Sequence, residues 1–463
     1  MENVGENLKF SEKNYDSDFV NARYTAVKLL SRFERSDSYI DKLIEFELRM
    51  NKFIPQDKAL IVELVNGTIR WRNKLDWILT GFYRGDYQKC LNIVKNALRI
   101  AVYQIFFLDR IPIPAAIDES VEIIKRIQGE KIAGVVNGVL RNIVRNINNV
   151  RYPERDSDLI YYLSVLYSHP KWIVKRWVER FGEDFTEKLL FANNRRPYVS
   201  LRVNTLKASI EDVEAFLHEL NLTHYKLPYL DNSILLKSPN TNFAELAIFK
   251  NGLITVQDIS ASLAVELAAP MEGEYVIDLC AAPGGKSFFL AELMHDKGEV
   301  LAIEKYSSKI RFIEDGAKRL GIKSISLLNN DASEVKLDRQ ADLVFLDAPC
   351  SGFGTLSKKP DIKWKREIED IIGLQNLQRS ILANAVTLVK PGGRLVYSTC
   401  TIEKEENQDN IEWVLKNYPE FEIDPAENYL HKDVCKDGFL QTFSNEHNID
   451  GAFAARLVKK IIT

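Results

Sequence analysis

The sequence predicts a multidomain chain: an all-α amino-terminal domain, a small α+β connector and a carboxy-terminal α/β domain built on a mostly parallel sheet. Three observations predict it. From about Tyr15 to Asn148 apolar residues recur at helical spacing, as in Val136, Val139, Leu140, Ile143 and Val144, and nothing alternates like a strand for long. After Pro270 short apolar runs alternate with helical stretches, which is the pattern of a parallel sheet wrapped by helices. Between the two lies a polar segment, Asn146 to Asp158 with Pro153, that reads as a linker. At 463 residues the chain exceeds one ordinary core, so two or three domains are expected, each able to bury its own interior.

The helical domain is placed at residues 15–150. Pro112 and Pro114 are expected to punctuate one helix end, and Asp118, followed by Glu119 and Glu122, to open the next helix, where acids suit the positive end of the helix dipole. The connector is placed at 159–270. It holds a tryptophan-bearing helical stretch (Trp172, Trp177), a short strand at Val199 to Val203 and a helix over Ile210 to Leu220. The α/β domain is placed at 271–463, with strands at 275–280, 300–303, 325–328, 343–346 and 395–397. Two further runs, 438–443 and 452–458, are separated by a polar turn and predict an antiparallel edge hairpin.

Composition narrows the function. Residues Met1 to Phe10 carry glutamates and no apolar run, and no later stretch reaches the roughly 18 uninterrupted apolar residues of a membrane helix, so a soluble, unexported, cytoplasmic protein is expected. The five cysteines (Cys90, Cys280, Cys350, Cys400, Cys435) are odd in number and scattered without metal-ligand spacing, so neither a disulfide framework nor a metal site is expected. A net charge of −3 gives no global sign of nucleic-acid binding. Residues 51–150 nevertheless carry 15 lysines and arginines against 9 acids, a local excess that suits either a solvated surface or RNA phosphate.

The chemistry concentrates in the last domain. Asp278-Leu279-Cys280-Ala281-Ala282-Pro283-Gly284-Gly285-Lys286 is a strand end, a run of small residues and the start of a helix, which lets backbone approach a ligand at the carboxyl edge of a sheet. Its spacing fits neither the dinucleotide nor the triphosphate pattern, and taken alone it could be a plain connecting turn. Glu304 closes the next strand and Asp331 the one after, as an adenosine moiety requires: one acid for ribose, one for the amine edge of adenine. Cys350, in Asp347-Ala348-Pro349-Cys350-Ser351, and Cys400, in Ser398-Thr399-Cys400-Thr401, follow two further strands. Thiols at strand ends beside a nucleoside-type pocket suggest covalent chemistry on a bound substrate. Cys280, inside the loop, reads more economically as a small buried residue.

These residues resemble a known family, the bacterial cytosine-5 RNA methyltransferases of the RsmB type, also called Sun or Fmu, which modify 16S ribosomal RNA using S-adenosylmethionine. The glycine loop resembles their cofactor motif, Asp347-Ala348-Pro349-Cys350-Ser351-Gly352 their fourth motif and Ser398-Thr399-Cys400-Thr401 their sixth. Lys359-Pro360-Asp361-Ile362-Lys363-Trp364 and Val256-Gln257-Asp258 are further matches. Val136-Asn137-Gly138-Val139-Leu140-Arg141-Asn142 and Asp118-Glu119-Ser120-Val121 resemble the NusB-like helical RNA-binding domain of these proteins; Ser168-His169-Pro170-Lys171-Trp172 and Arg202-Val203-Asn204 resemble their connecting region.

The resemblance implies a Rossmann-like class I methyltransferase domain with a mostly parallel seven-stranded sheet, an RNA-binding connector, 16S ribosomal RNA as partner, and a chain acting as a monomer. It carries cofactor binding onto Cys280, Ala281, Ala282, Pro283, Gly284, Gly285, Lys286, Glu304, Asp331 and Asp347. One departure is visible, because the family usually has aspartate where this chain has Glu304. The longer carboxylate should still reach ribose with a slightly shifted backbone. By the same resemblance Cys400 is the nucleophile, Cys350 assists product release and Asp347 contacts the base. Lys286 is a candidate cationic neighbour of a thiolate, or equally a residue that caps backbone or meets phosphate. Two other readings stand beside this one: a non-catalytic RNA-binding factor, which has no use for two strand-end thiols, and an enzyme acting on transfer RNA, which fits the same catalytic motifs.

Overall fold

The structure, a computed structural model, describes residues 21–237 and 243–461. The reading of Met1 to Phe10 and the first six residues of the proposed helical domain, 15–20, lie outside the described residues. The chain divides into two compact units between Glu179 and Arg180.

The first unit is helical throughout its described residues. Helix Asn92–Phe107 carries a nearly unbroken buried surface (Val94, Ala97, Leu98, Ile100, Ala101, Val102) and is packed by helices Ala22–Phe33, Pro55–Arg70, Arg72–Phe82 and Ile113–Gln128. Each fully buried Leu, Ile or Val contributes about 1.5–3 kcal/mol, so this central helix anchors the unit. Arg99 on the same helix is buried and meets Asp76 at 2.6 and 2.7 Å and Glu34 at 2.5 Å. Burial opposes its charge, and the Asp76 carboxylate more than restores it. Arg99 and the equally buried Arg70 therefore offer nothing to RNA phosphate, and the basic excess read from residues 51–150 is partly internal.

Two expectations change here. Pro112 and Pro114 do not end a helix ahead of an acidic start at Asp118; they begin helix Ile113–Gln128, with Pro112 at the N-cap. Proline is tolerated there because the first-turn N–H groups have no intrahelical partner. Asp118 consequently lies inside that helix. The polar segment after residue 146 does connect two helices, but Leu159–Leu166 packs back on Arg72–Phe82: the Asn73 amide donates to the Ser164 carbonyl at 2.9 Å, and its backbone N–H to Ser168 Oγ at 2.8 Å. Those bonds group residues 159–179 with the helical unit.

The second unit opens with a four-stranded antiparallel sheet of β1 (Val199–Val203), β2 (His224–Tyr225), β3 (Ser233–Leu236) and β4 (Ile254–Val256), ordered β2-β3-β1-β4. Helix Ile210–Glu219 begins with a capping box between Ser209 and Asp212 and packs Val213 and Leu217 into a core with Leu201, Val203 and Ile234.

The main sheet contains β5 (Tyr275–Asp278), β6 (Glu299–Glu304), β7 (Ile325–Asn329), β8 (Ala341–Asp347), β9 (Val389–Thr399), β10 (Phe421–Ile423), β11 (Cys435–Lys436), β12 (Phe439–Thr442) and β13 (Ala452–Lys459). The order is β11-β12-β13-β9-β8-β5-β6-β7, with β10 on β13; β5 to β9 are parallel and the rest antiparallel. The seven principal strands match the expected sheet, and β10 and β11 are short additions. The tail hairpin forms, but β13 lies between β9 and β12, so it closes the sheet from inside. Alternate residues face opposite sides. Val276, Phe345 and Val396 pack under helices Ile259–Ala268 and Gly285–Leu293, whereas Ile277, Val344 and Tyr397 pack under Ile368–Leu388 and Gln408–Asn417. Burial on both faces explains the unbroken apolar runs in the sequence.

A buried ion pair joins the two sheets. Arg202 on β1 meets Glu292 on helix Gly285–Leu293, donates to Gln257 Oε1 at 2.6 Å and stacks 4.3 Å over Phe289.

Candidate active site

Parallel register gathers the predicted acids at one edge of the sheet. Asp278 ends β5, Glu304 ends β6 opposite Asn329, Asp347 ends β8 opposite Ser398, and Asp331 follows β7 by two residues. The glycine loop turns off β5 at this edge. Leu279 N–H still bonds the Phe345 carbonyl and Ala281 N–H that of Ile303, so the loop stays fixed to both neighbouring strands although β5 ends at Asp278 and not at Cys280. Gly284 has φ 109°, and a Cβ there would lie 2.4 Å from Phe288. A side chain is excluded twice over, by conformation and by contact.

The acids are held and charged differently. Glu304 is buried; one oxygen accepts Tyr306 N–H at 2.9 Å and the other Ala282 N–H at 3.3 Å, which ties it directly to the loop. Asp331 caps Ser333 N–H at 2.9 Å and pairs with Lys305 at 2.7 Å; the Lys305 hydrogen bond leads in holding its carboxyl down at about 2. Burial, with Asp347 nearby, pushes Asp278 up to about 6 although Ser287 donates to it at 2.6 Å. Burial also pushes the Cys280 thiol up, leaving it a neutral, inert part of the loop.

The two remaining thiols meet. Cys350 and Cys400 lie 50 residues apart in sequence, yet β8 and β9 are parallel neighbours, and the turns leaving them place Sγ against Sγ at 3.1 Å. The Cys400 backbone N–H also donates to Cys350 Sγ at 3.3 Å. Cys400 is exposed and Cys350 partly covered. The hydrogen bond from the Cys350 thiol lowers the Cys400 pKa; burial and Asp347 oppose it, and Lys286 and Lys359 assist. Cys350 moves the opposite way, well up, with the same hydrogen bond as the leading cause and burial next. The pair is thus divided into a thiolate-prone Cys400 and a thiol Cys350.

Lys286 donates to Asp347 Oδ2 at 2.6 Å, and Ser398 Oγ to Asp347 Oδ1 at 3.0 Å. Sequence offered Lys286 a thiolate, backbone or phosphate as its neighbour; the structure gives it a carboxylate beside the cysteines, and its charge also helps to lower the Cys400 pKa. Burial would discharge its ammonium, and Asp347 keeps it charged.

Several contributors escaped sequence reasoning. Gly354 lies in the turn after Cys350. Its N–H donates to the Cys400 carbonyl at 3.0 Å, its carbonyl accepts Gly451 N–H at 2.9 Å, and a Cβ would stand 1.8 Å from the Gly451 oxygen. Lys358 pairs with both Asp258 and Asp450, pinning the same loop. Burial, then Asp258, raises Asp450 to about 7. Asp258 belongs to the Val256-Gln257-Asp258 match and caps Ser260 locally, but the lysine it shares with Asp450 lies 100 residues away, and no local pattern announces it.

Comparison with known proteins places this geometry. Family models match residues 265–458 (16S rRNA methyltransferase RsmB/F), 20–145 (NusB family) and 169–242 (RsmF/B-like methyltransferase, ferredoxin-like domain). The chain is 36% identical over 447 residues to the probable ribosomal RNA small subunit methyltransferase B of Bacillus subtilis (strain 168), covering 95% of this chain and 98% of that one. The chain belongs to the RsmB/F family of 16S ribosomal RNA methyltransferases. The Synechocystis sp. (strain ATCC 27184 / PCC 6803 / Kazusa) relative of the same description is 32% identical over 449 residues, covering 95% of this chain and all of the other. The crystal structure of PH0851 superposes with a TM-score of 0.78 at 28% identity, covering 95% and 99% of the two chains.

This RsmB/F chain is therefore a methyltransferase that uses S-adenosylmethionine and acts on ribosomal RNA. The donor set fits that cofactor: carboxylates at successive strand ends and a buried Asp278 beneath the glycine loop suit hydroxyls, an amine and a sulfonium cation. Among the described residues no helix is long and apolar enough to cross a membrane.

Proposed function

We propose that this RsmB/F chain methylates C5 of a cytosine in 16S ribosomal RNA through a covalent adduct between Cys400 and C6. The observation that carries the reading is the contact of two sulfurs from adjacent strand ends, 3.1 Å apart, with the exposed Cys400 the one whose pKa is lowered. Cytosine C5 is too weak a nucleophile to take a methyl group unaided. A Cys400 thiolate adding at C6 pushes the C5–C6 π pair onto C5 and makes that carbon nucleophilic. S-adenosylmethionine, when bound, supplies an electrophilic methyl group on sulfur. After transfer C5 bears both hydrogen and methyl. Once Cys400 is a thioether it no longer accepts the Cys350 hydrogen bond, so the influence that most raises the Cys350 pKa is gone. Cys350 gives its own proton to water, its thiolate takes the C5 proton, and the electrons left behind restore the double bond and expel the Cys400 thiolate. Asp347, held by Lys286 and Ser398, would meet the N3 and amino edge of the base. In the same reading Cys280 through Lys286, Glu304 and Asp331 hold the cofactor. In this reading residues 15–150 and 159–270, of which 159–179 fold with the helical unit, bind RNA and 271–463 carry catalysis, in a chain working as a monomer.

The reaction replaces the hydrogen on C5, and an assay can count that hydrogen. RNA carrying tritium at cytosine C5 should release tritium to water in a one-to-one ratio with methyl groups incorporated. Methyl incorporation without release would place the methyl on another atom.

A further inference from the structure

Glu406 lies just after the second cysteine motif, in the charged run Glu403-Lys404-Glu405-Glu406, where sequence alone suggests a solvated turn. Its side chain is instead fully buried. One oxygen accepts Ser351 N–H at 2.8 Å and the Gln378 amide at 3.0 Å; the other accepts Ser351 Oγ–H at 2.5 Å. Ser351 Oγ also lies 2.8 Å from Thr401 Oγ1. Ser351 follows Cys350, and Thr401 follows Cys400. A single carboxylate therefore joins the residues immediately after both thiols.

The surrounding groups complete the clamp. Gln378 also donates to the Pro349 carbonyl at 2.9 Å, on the other side of Cys350, and accepts from Asn410 at 2.8 Å. Asn407 accepts from Thr399 Oγ1 at 2.6 Å and donates to the Thr401 carbonyl at 3.0 Å, bracketing Cys400. We propose that Glu406 is a positioning residue for the cysteine pair: it locks the Cys350 turn to the Cys400 turn, so that the Cys350 thiol stays at hydrogen-bond distance from the Cys400 sulfur.

Chemistry favours a carboxylate for this task. Three donors converge on it, and an amide would set its own N–H against one of them. Burying the acid is unfavourable, and burial raises the Glu406 pKa. The charge also acts on its neighbours, since it adds to the influences that hold the proton on Cys350. The groups facing the thiols are Asp347, Lys286 and Lys359 around Cys400, and Asp347 with Glu406 around Cys350; Glu403 and the Tyr397 side of β9 face Glu406.

The inference rests on the two-cysteine reading above, and its test separates the two. Full-length protein without RNA is alkylated with iodoacetamide across a pH series, and each cysteine is quantified by mass spectrometry. In Glu406→Gln the Cys400 midpoint should rise by about one pH unit or more, toward an ordinary thiol. kcat should fall about tenfold or more at neutral pH and recover at alkaline pH, with KM for RNA and cofactor unchanged. Should Glu406→Gln not fold, Ser351→Ala, which deletes only the hydroxyl bridge, must move the same midpoint in the same direction. An unchanged Cys400 titration in the folded variant, or a kcat loss that no pH restores, overturns the role of Glu406. Turnover by Cys400→Ala would instead overturn the two-cysteine chemistry.

Discussion

Cys400→Ala abolishes turnover, by on the order of 10⁴-fold or more, and leaves no RNA covalently attached to the protein, because no sulfur remains to add at C6. Cys350→Ala behaves differently. The attacking thiol is still present, so an adduct forms and then persists, as the group that takes the C5 proton is missing. The hydrogen bond that lowers the Cys400 pKa is also gone, so the adduct should form more slowly at neutral pH and speed up as pH rises. A denaturing gel of each variant incubated with RNA and cofactor reads this as a slow-migrating band. A band from Cys400→Ala and none from Cys350→Ala would reverse the two roles.

Arg202→Met should be the most destabilising change away from the cysteines. Arg202 and Glu292 are both buried, and burial already raises Glu292 to about 7 despite the guanidinium beside it. Removing the arginine leaves an uncompensated buried carboxyl, a loss of about 3–5 kcal/mol. A carboxyl whose folded pKa lies above its unfolded value costs nothing while protonated in both states and costs more as pH rises through that interval. The thermal midpoint of the variant should therefore fall little below wild type near pH 5 and far below it near pH 8. Arg202→Met combined with Glu292→Met should recover most of the loss, since the apolar pair needs no desolvation. An equal deficit at both pH values would mean that the loss comes from Gln257 and Phe289 packing alone.

Much of this architecture is legible in the sequence because it is local. The glycine loop, the acids closing successive strands and the cysteines after β8 and β9 are each set by a few adjacent residues, and the period of the apolar runs gave the strands that carry them. What was not legible depends on partners far along the chain. The Sγ–Sγ contact needs β8 and β9 to be neighbours, which strand boundaries alone do not give. Glu406 looks like part of a solvated charged turn until helix Ile368–Leu388 brings Gln378 onto it. Lys358 finds Asp258 and Asp450 only once three loops converge. Pro112 was misread for a local reason: proline marks a helix boundary without saying which end, and here helix Ile113–Gln128 starts where an end was expected.

Bisulfite sequencing of 16S ribosomal RNA tests the central claim most directly. Unmodified RNA is incubated with S-adenosylmethionine and either wild-type protein or Cys400→Ala. The wild-type reaction should leave a specific cytosine resistant to conversion, and the Cys400→Ala reaction should leave every cytosine convertible. A resistant cytosine produced by Cys400→Ala would contradict the account, as would methyl incorporation by the wild type with every cytosine still converted.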